Sequence, residues 1–502
     1  MKKHTLILLT VVLGLTVALN QTIAQGLLTP IWMKSKFASN GGKTEGWGVD
    51  VDNNGNVYWP VSSDSTGQAL DIFCYKFNSN GTPLWTTPFF FGGAGTQHAF
   101  VCNAKDTALY IGGRYCAFSG FSCDMQLLKI NKSNGALIWS KTKDFGNNGY
   151  DEIDGLEVMN DGIYCGGWAQ ALQMGPYQID LGLWKVDFNG NTLWTNYFGK
   201  TTTAEHQDGH FVIDANYIYG AGEWDGKGIA NINNGYSFLG KFSRADGSYV
   251  DSTLFGFQSN AFGDIENALG MTTDGTYLYI TGYTTPFSAN NWQIFVAKYD
   301  KNMNQLWFQN WGGSNTESAR GIAVSNGMIY IAGLTTSPGY NPGGNVDAAL
   351  LVYDTAGTFL TYKTWGDTLD EAFRDIAISG NAIYLSGSSG NDLAGADSDS
   401  GFVMKVDMAS TWASVNNNNN RLETLQVYPN PFSLQTTVRS DNLLTNATLT
   451  VINCFGQTVV QIKNISGQTI TFSRDNLPSG LYFIHLTQDN QEIAIKKIIV
   501  TD

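Results

Sequence analysis

The sequence predicts an all-β protein. Three observations predict it: a composition rich in turn and aromatic residues, a strand-rich unit repeated seven times, and the lack of any stretch with a helical period. Of 502 residues, 57 are Gly, aromatics make up 13% and charged residues only 14%. That mixture describes short strands carrying Tyr, Trp and Phe between Gly, Asn and Asp corners. A chain of this length has apolar surface for more than one core.

The repeat is marked by an apolar residue followed by Tyr: Val57-Tyr58, Leu109-Tyr110, Ile163-Tyr164, Ile218-Tyr219, Leu278-Tyr279, Ile329-Tyr330 and Ile383-Tyr384. In the last six copies a Gly stands three residues on (Gly113, Gly167, Gly222, Gly282, Gly333, Gly387), whereas the first has Val61. Downstream comes a second alternating run that carries Lys76, Lys129, Lys185, Lys241, Lys298 or Lys405, with Val352 in the sixth unit. Two residues later sits a turn former: Asn78, Asn131, Asp187, Ser243, Asp300, Asp354 or Asp407. A third strand follows, as in LWTNYFG and LWFQNWGG, and each unit opens with a fourth, such as RGIAVS.

Four short strands in a unit of about 50 residues make a blade, and blades stack radially around a channel. The seventh unit stops at Trp412 without its outermost strand, and a matching strand, Ile31 to Phe37, stands unused before the first unit. The fold expected is therefore a seven-bladed β-propeller over residues 26–412, closed by an N-terminal strand. After an Asn-rich linker (413–421), alternating strands with Pro, Gly and Asn corners predict a small C-terminal β-sandwich, immunoglobulin-like, over residues 422–502.

Lys2, Lys3, an apolar run from Leu6 to about Leu19, and Thr22-Ile23-Ala24 read as a signal peptide over residues 1–24. That run is too short to cross a membrane, and no later stretch is long enough, so no transmembrane segment is expected. The formal net charge of -14 lacks the basic stripe that phosphate binding needs, so no nucleic acid is expected. Six Cys are too few for a disulfide scaffold; Cys116 and Cys123 are spaced to close one loop, and the others read as buried small hydrophobes.

Two resemblances add to this. Stretches such as Asp50-Val51-Asp52-Asn53-Asn54-Gly55-Asn56-Val57-Tyr58 and Gly321-Ile322-Ala323-Val324 resemble a bacterial β-propeller repeat family over nearly all of residues 27–412. The steps from Gly81 to Trp85, Gly135 to Trp139 and Gly190 to Trp194 look like the docking tryptophans of quinoprotein-type propellers, a likeness of architecture. At the other end, Tyr428-Pro429-Asn430-Pro431-Phe432, Gly456, Leu477-Pro478-Ser479-Gly480-Leu481-Tyr482 and Lys496-Lys497-Ile498-Ile499-Val500 closely resemble the type A sorting domain of the type IX secretion system. This resemblance implies export across both membranes. It names the type IX secretion machinery and its C-terminal signal processing enzyme as partners, with Pro429, Asn430, Pro431, Gly456, Gly480, Tyr482 and Lys496 in the sorting motif. The location it implies is extracellular, or attached to the outer-membrane surface after processing.

Thirteen residues before each blade Tyr lies Glu45, Gln97, Asp151, His206, Glu266, Glu317 or Glu371. These positions and the long loops between second and third strands fall on one face. The loops carry Trp168, Tyr177, Trp224, Trp292 and Tyr340 amid Asn and Gly, suited to stacking on a sugar or a protein surface. The competing reading of the acids is that they cap strands or tie adjacent blades. Asp50-Val51-Asp52-Asn53-Asn54-Gly55 has only half of a calcium loop, and His206, Asp208 and His210 lack a fourth ligand, so neither metal nor cofactor is expected. No Gly-x-Ser-x-Gly, phosphate loop or HExxH occurs, and no catalytic triad can be assigned. The function expected is therefore a non-catalytic module that binds an extracellular glycan or protein. The alternative is an extracellular glycan-active enzyme using carboxylates of the loop face, since a suitably spaced acid pair suffices for glycoside chemistry.

Overall fold

The structure is a computed structural model. It describes residues 28, 30–38 and 42–501, except 65–68, 118–121, 147–148, 171–179, 200–203, 207–209, 226–235, 256–265, 286–290, 341–345, 367–368, 391–399, 409–424, 454–457, 476 and 489–490. A few strand residues, among them 204–206, 224–225 and 266, are described by backbone alone. The signal peptide, the linker and Gly456 lie outside the described residues. The chain forms two compact units, Met1–Ala409 and Ser410–Asp502.

The first unit holds seven antiparallel sheets, one for each copy of the repeat. In blade 6, for example, Glu317–Ser325, Met328–Thr335, Asp347–Asp354 and Phe359–Trp365 follow one another outward from the centre. Blade 7 is assembled from both ends of the unit: Asp370–Ser379, Ala382–Gly390 and Ser400–Asp407 are completed by Pro30–Phe37. Trp32 stands opposite Lys405 and Lys34 opposite Val403, so the ring closes through the strand that the sequence left over. The fold is a seven-bladed β-propeller.

The repeated residues explain the stacking. Each blade Tyr is buried between neighbouring sheets, as Tyr58 is with Leu128 and Ile130 of the next blade. In several blades the phenol donates to an Asp of the turn just before its strand: Tyr58 to Asp52 (3.0 Å), Tyr164 to Asp161 (2.8 Å) and Tyr279 to Asp274 (2.8 Å). The turn formers accept amides of their own turns, as Asp300 Oδ1 does from Asn302 and Asn304. The Lys and Trp of one blade jointly grip the next, since Lys76 Nζ and Trp85 Nε1 both donate to Lys132 O (2.7 and 3.2 Å), and Lys298 and Trp307 to Thr355 O (2.9 and 3.3 Å).

The Gly three residues after Tyr has a second purpose. A Cβ at Gly113, Gly282, Gly333 or Gly387 would strike a carbonyl of the innermost strand (His98, Asn267, Ser318 and Ala372). There the innermost strand carries one extra residue, a β-bulge, between Ala99 and Val101, Ala268 and Gly270, Ala319 and Gly321, or Phe373 and Asp375. Cys116 and Cys123 form the one disulfide among the described residues, while Cys74, Cys102 and Cys165 are buried thiols.

The second unit is one bent sheet of five strands around one apolar core. Gln435–Asn453 pairs along one side with Thr458–Ser473 and along the other with Gln426–Tyr428 and then Gly480–Gln488. No helix among the described residues is long and apolar enough to cross a membrane.

Candidate functional site

The repeat acids are placed by their blades. Glu317 is buried; its Oε2 accepts Gly313 N–H (2.9 Å) and its Oε1 the Thr335 hydroxyl (3.0 Å). Asp151 is equally buried and accepts Phe145 N–H (2.8 Å) and Gln170 N–H (2.7 Å), one on each oxygen. Burial pushes the Asp151 carboxyl up to about 7, and the nearby Asp144 and Asp124 add to the shift. Glu371 Oε1 accepts from Ser389 Oγ (2.9 Å). Glu45 differs, because its Oε2 accepts Trp47 Nε1–H (3.1 Å) and stands 3.4 Å from His98 Nδ1. Burial raises its carboxyl, but His98, Trp47 and Arg114 more than reverse this and hold it below its ordinary value. Gln97 is buried, and the side chains of His206 and Glu266 lie outside the described residues. Among the described side chains, Asp124, Asp144 and Asp151 are the acids close enough to share a cation, with oxygens within 4.8 Å of one another.

Of the loop aromatics, Trp292 is 36% exposed and stacks on Tyr283 with ring centres 4.3 Å apart, which leaves an open indole face. Trp168 leans on Tyr150 at 5.7 Å. Tyr340 packs inward between Trp311 (4.7 Å) and Tyr362 (5.2 Å). The side chain of Trp224 and the whole of Tyr177 lie outside the described residues.

The innermost strands enclose a central channel. Its wider part is a cavity of about 330 Å³ to which all seven blades contribute, with Asp50, Asn103, Glu157, His210, Thr272 and Asp375 as its polar lining. Burial pushes the Asp50 carboxyl up to about 6 and that of Glu157 up to about 7. His210 Nε2 stands 3.2 Å from Asp375 Oδ1, joining blade 4 to blade 7. Burial pulls the imidazole down, but Asp375, Glu157 and Asp50 more than reverse it, so His210 holds its proton above the usual pH.

Toward the loop end the channel narrows to a mouth, and here the bulges matter. The extra residue of each bulge, Phe100, Leu269, Arg320 or Arg374, borders this mouth together with Trp47, Asp154, His210 and Asp375. A bulge re-aims a side chain that regular pairing would direct elsewhere. Gly270 lets the next strand approach, since a Cβ there would meet Arg320 O. The guanidinium carbons of Arg320 and Arg374 lie 4.9 and 4.5 Å from the Trp47 ring centre, and Trp47 meets Phe100 edge to face at 5.5 Å.

Sequence reasoning missed this mouth because it aligned the repeat thirteen residues before Tyr. Ten residues before Tyr, the same alignment finds Gly48, Phe100, Asp154, Gly209, Leu269, Arg320 and Arg374, which differ in charge and size from blade to blade.

Residues 426–501 match the family model of the secretion system C-terminal sorting domain. Such a domain marks proteins exported by type IX secretion, and the protein is accordingly extracellular or attached to the cell surface. Of the residues that the sequence resemblance assigns to the sorting motif, Asn430 Oδ1 accepts Ile499 N–H (2.8 Å), Tyr482 donates to Pro478 O (2.8 Å), Gly480 pairs with Val500, and Lys496 is exposed on its strand. Tyr428-Pro429 and Asn430-Pro431 are cis peptides. The class so defined is an exported β-propeller with a C-terminal sorting domain. Similar solved structures include the Plexin A4 full extracellular region (8% identity, 93% of this chain and 67% of that one, TM-score 0.43). Others are the β-propeller domain of the Trilobed protease from Pyrococcus furiosus (9%, 74% and 97%, 0.41) and Drosophila Plexin A in complex with Semaphorin 1b (7%, 76% and 88%, 0.45). No curated protein matches the chain.

Proposed function

We propose that this protein is a non-catalytic binding module displayed on or released from the cell surface, which takes a glycan or a protein on the loop face of the propeller. The observation that carries this reading is the use made of the repeat acids: Asp151 and Glu317 are buried and hold backbone amides, those of Phe145 and Gly313 in the connections from the preceding blades and that of Gln170 in Asp151's own blade. A carboxylate occupied in that way supports a loop surface and is poorly placed to act as a free acid or nucleophile. The open face of Trp292, backed by Tyr283, suits stacking on a sugar ring or an apolar side chain. The likeness of the repeated text to bacterial β-propeller repeats agrees with this reading.

The test is a glycan array probed with the exported full chain, with each bound glycan then incubated and analysed for cleavage products. Binding without products is expected, weakened by Trp292→Ala. Turnover of any bound glycan overturns the reading.

A further inference from the structure

The propeller contains four arginines, Arg114, Arg244, Arg320 and Arg374. Two of them have carboxylate partners: Arg114 Nη1 bonds Glu152 at 2.6 Å, and Arg244 Nη2 bonds Asp161. Arg320 and Arg374 have none among the described residues. Their contact is with the ring of Trp47, and Arg374 Nε is buried without a hydrogen-bond partner. Stacking on an aromatic ring leaves the edge of a guanidinium, with its fork of N–H donors, open to a planar or tetrahedral oxyanion. Two such cations side by side at a partly buried mouth repel each other; Glu45, Asp154 and Asp375 offset this from nearby without pairing either guanidinium, and an oxyanion between the two forks would complete them. Burial, with the charge of Arg320 added, lowers the Arg374 guanidinium to about 10 against the opposing attraction of Glu45.

Position adds to chemistry. Arg320, Arg374 and Trp47 come from three consecutive blades (6, 7 and 1), and the arginines sit at bulges that break the likeness of the blades. Glu317 pairs with Thr335, where the long loop of blade 6 begins, and Arg320 lies three residues further along the strand, at the bulge. The mouth therefore opens toward the loop face. Asp154, Asp375 and His210 also border the mouth, and deeper in the channel Asp50 and Glu157 add acidic groups, so the arginines are the positive end of the channel.

We propose that Arg320 and Arg374, held by Trp47, bind an oxyanion at the channel mouth, and that this anion is the carboxylate or sulfate of an acidic saccharide whose rings lie on the loop face. The inference rests on the loop-face reading for the ligand's being a saccharide; the anion site itself rests on the arginines.

The experiment is calorimetric titration of the full chain with oligoglucuronate, its neutral methyl ester, a sulfated oligosaccharide, sodium sulfate and polyglutamate, using wild type, Arg320→Gln, Arg374→Gln and Trp292→Ala. Oligoglucuronate or the sulfated oligosaccharide should bind at least about tenfold more tightly than the ester, and each Arg→Gln change should remove about tenfold. Free sulfate should compete. Which of the two acidic saccharides binds more tightly identifies the anion. Should the variants fold poorly, wild type answers instead: bound saccharide should protect Arg320 and Arg374 from phenylglyoxal, read by peptide mass. Equal binding of acid and ester, unchanged in the Arg variants but weakened by Trp292→Ala, overturns the inference and leaves the loop-face reading standing. Arg-dependent binding of polyglutamate alone overturns the saccharide assignment. Binding of none of these ligands overturns the inference, and a silent array together with failure to capture any protein overturns the loop-face reading.

Discussion

The indole of Trp32, in the first strand of the ring, rests on Gly81 in the turn of blade 1: a Cβ at Gly81 would stand 2.9 Å from Trp32 Cδ2. Trp32 Nε1 and Lys405 Nζ both donate to Ser79 O (3.1 and 2.8 Å), repeating across the closure the grip that Trp85 and Lys76 make within the chain. Trp32→Ala should therefore cost about 2 kcal/mol or more, as much as Trp139→Ala in mid-chain, where the indole meets Gly190 in the same way. Denaturant unfolding of both variants checks this. A negligible cost for Trp32→Ala alone would mean that the ring does not need its N-terminal strand.

Gly333→Ala should destabilise by about 1 to 3 kcal/mol, because its Cβ would strike Ser318 O at the bulge that presents Arg320. Gly327→Ala serves as the comparison. That glycine has a φ of +75 and open space around it, so its cost is that of backbone conformation alone. Thermal melts of the two, with saccharide affinity as a second readout, separate the effects, since only Gly333→Ala should disturb the Arg320 site.

Burial raises the Glu157 carboxyl to about 7 in the folded channel, against an ordinary value near 4.3 in the unfolded chain. A raised acid binds more protons folded than unfolded, so its contribution is present at low pH and is lost as pH rises through about 7. Glu157→Gln should leave the melting temperature unchanged near pH 4, raise it at pH 8, and flatten the profile between them. A melting series over that range decides the matter; equal effects at both ends would show that Glu157 does not titrate in this window.

The disulfide joins residues seven apart in sequence beside the junction of blades 2 and 3, where Cys123 N–H donates to Gly149 O. Replacing both cysteines by Ser should cost about 2 kcal/mol by the entropy of so short a loop. Unfolding under oxidising and reducing conditions checks it, and the double variant should lose the sensitivity to reductant.

Asn430→Ala removes the acceptor of Ile499 N–H and with it one tie between the start and the end of the sorting unit. Export should fall while the propeller folds as before. Cell fractionation followed by immunoblotting reads this as protein retained inside the outer membrane.

Much of this architecture was legible because its signals repeat. The Tyr, Lys and turn residues recur at fixed places and make like contacts in most blades, as Lys129 to Phe188 O and Lys298 to Thr355 O illustrate, with Lys185 bonding Asp161 of its own blade instead. The closing strand was legible by complementarity, since Trp32 supplied what Lys405 lacked. The mouth of the channel was not, because a bulge is a property of pairing: nothing at Arg320 itself tells it from a residue in regular register. Its trace lay instead in Gly333, on the facing strand. The acids were legible as a ring but not in their partners, because loop amides such as Phe145 and Gln170 are brought to Asp151 only by the folded blade.

Blade 7 has a bearing on how the molecule comes into being. The edge of Pro30–Phe37 emerges first and must wait for Ser400–Asp407, its mate, through the synthesis of every other blade. Contacts between such distant segments form late and slowly. Of all the pairings in the ring this one spans the greatest length of chain, so it carries the largest loop-closure cost, and a chain that has not yet made it leaves an unmated β-edge at each end.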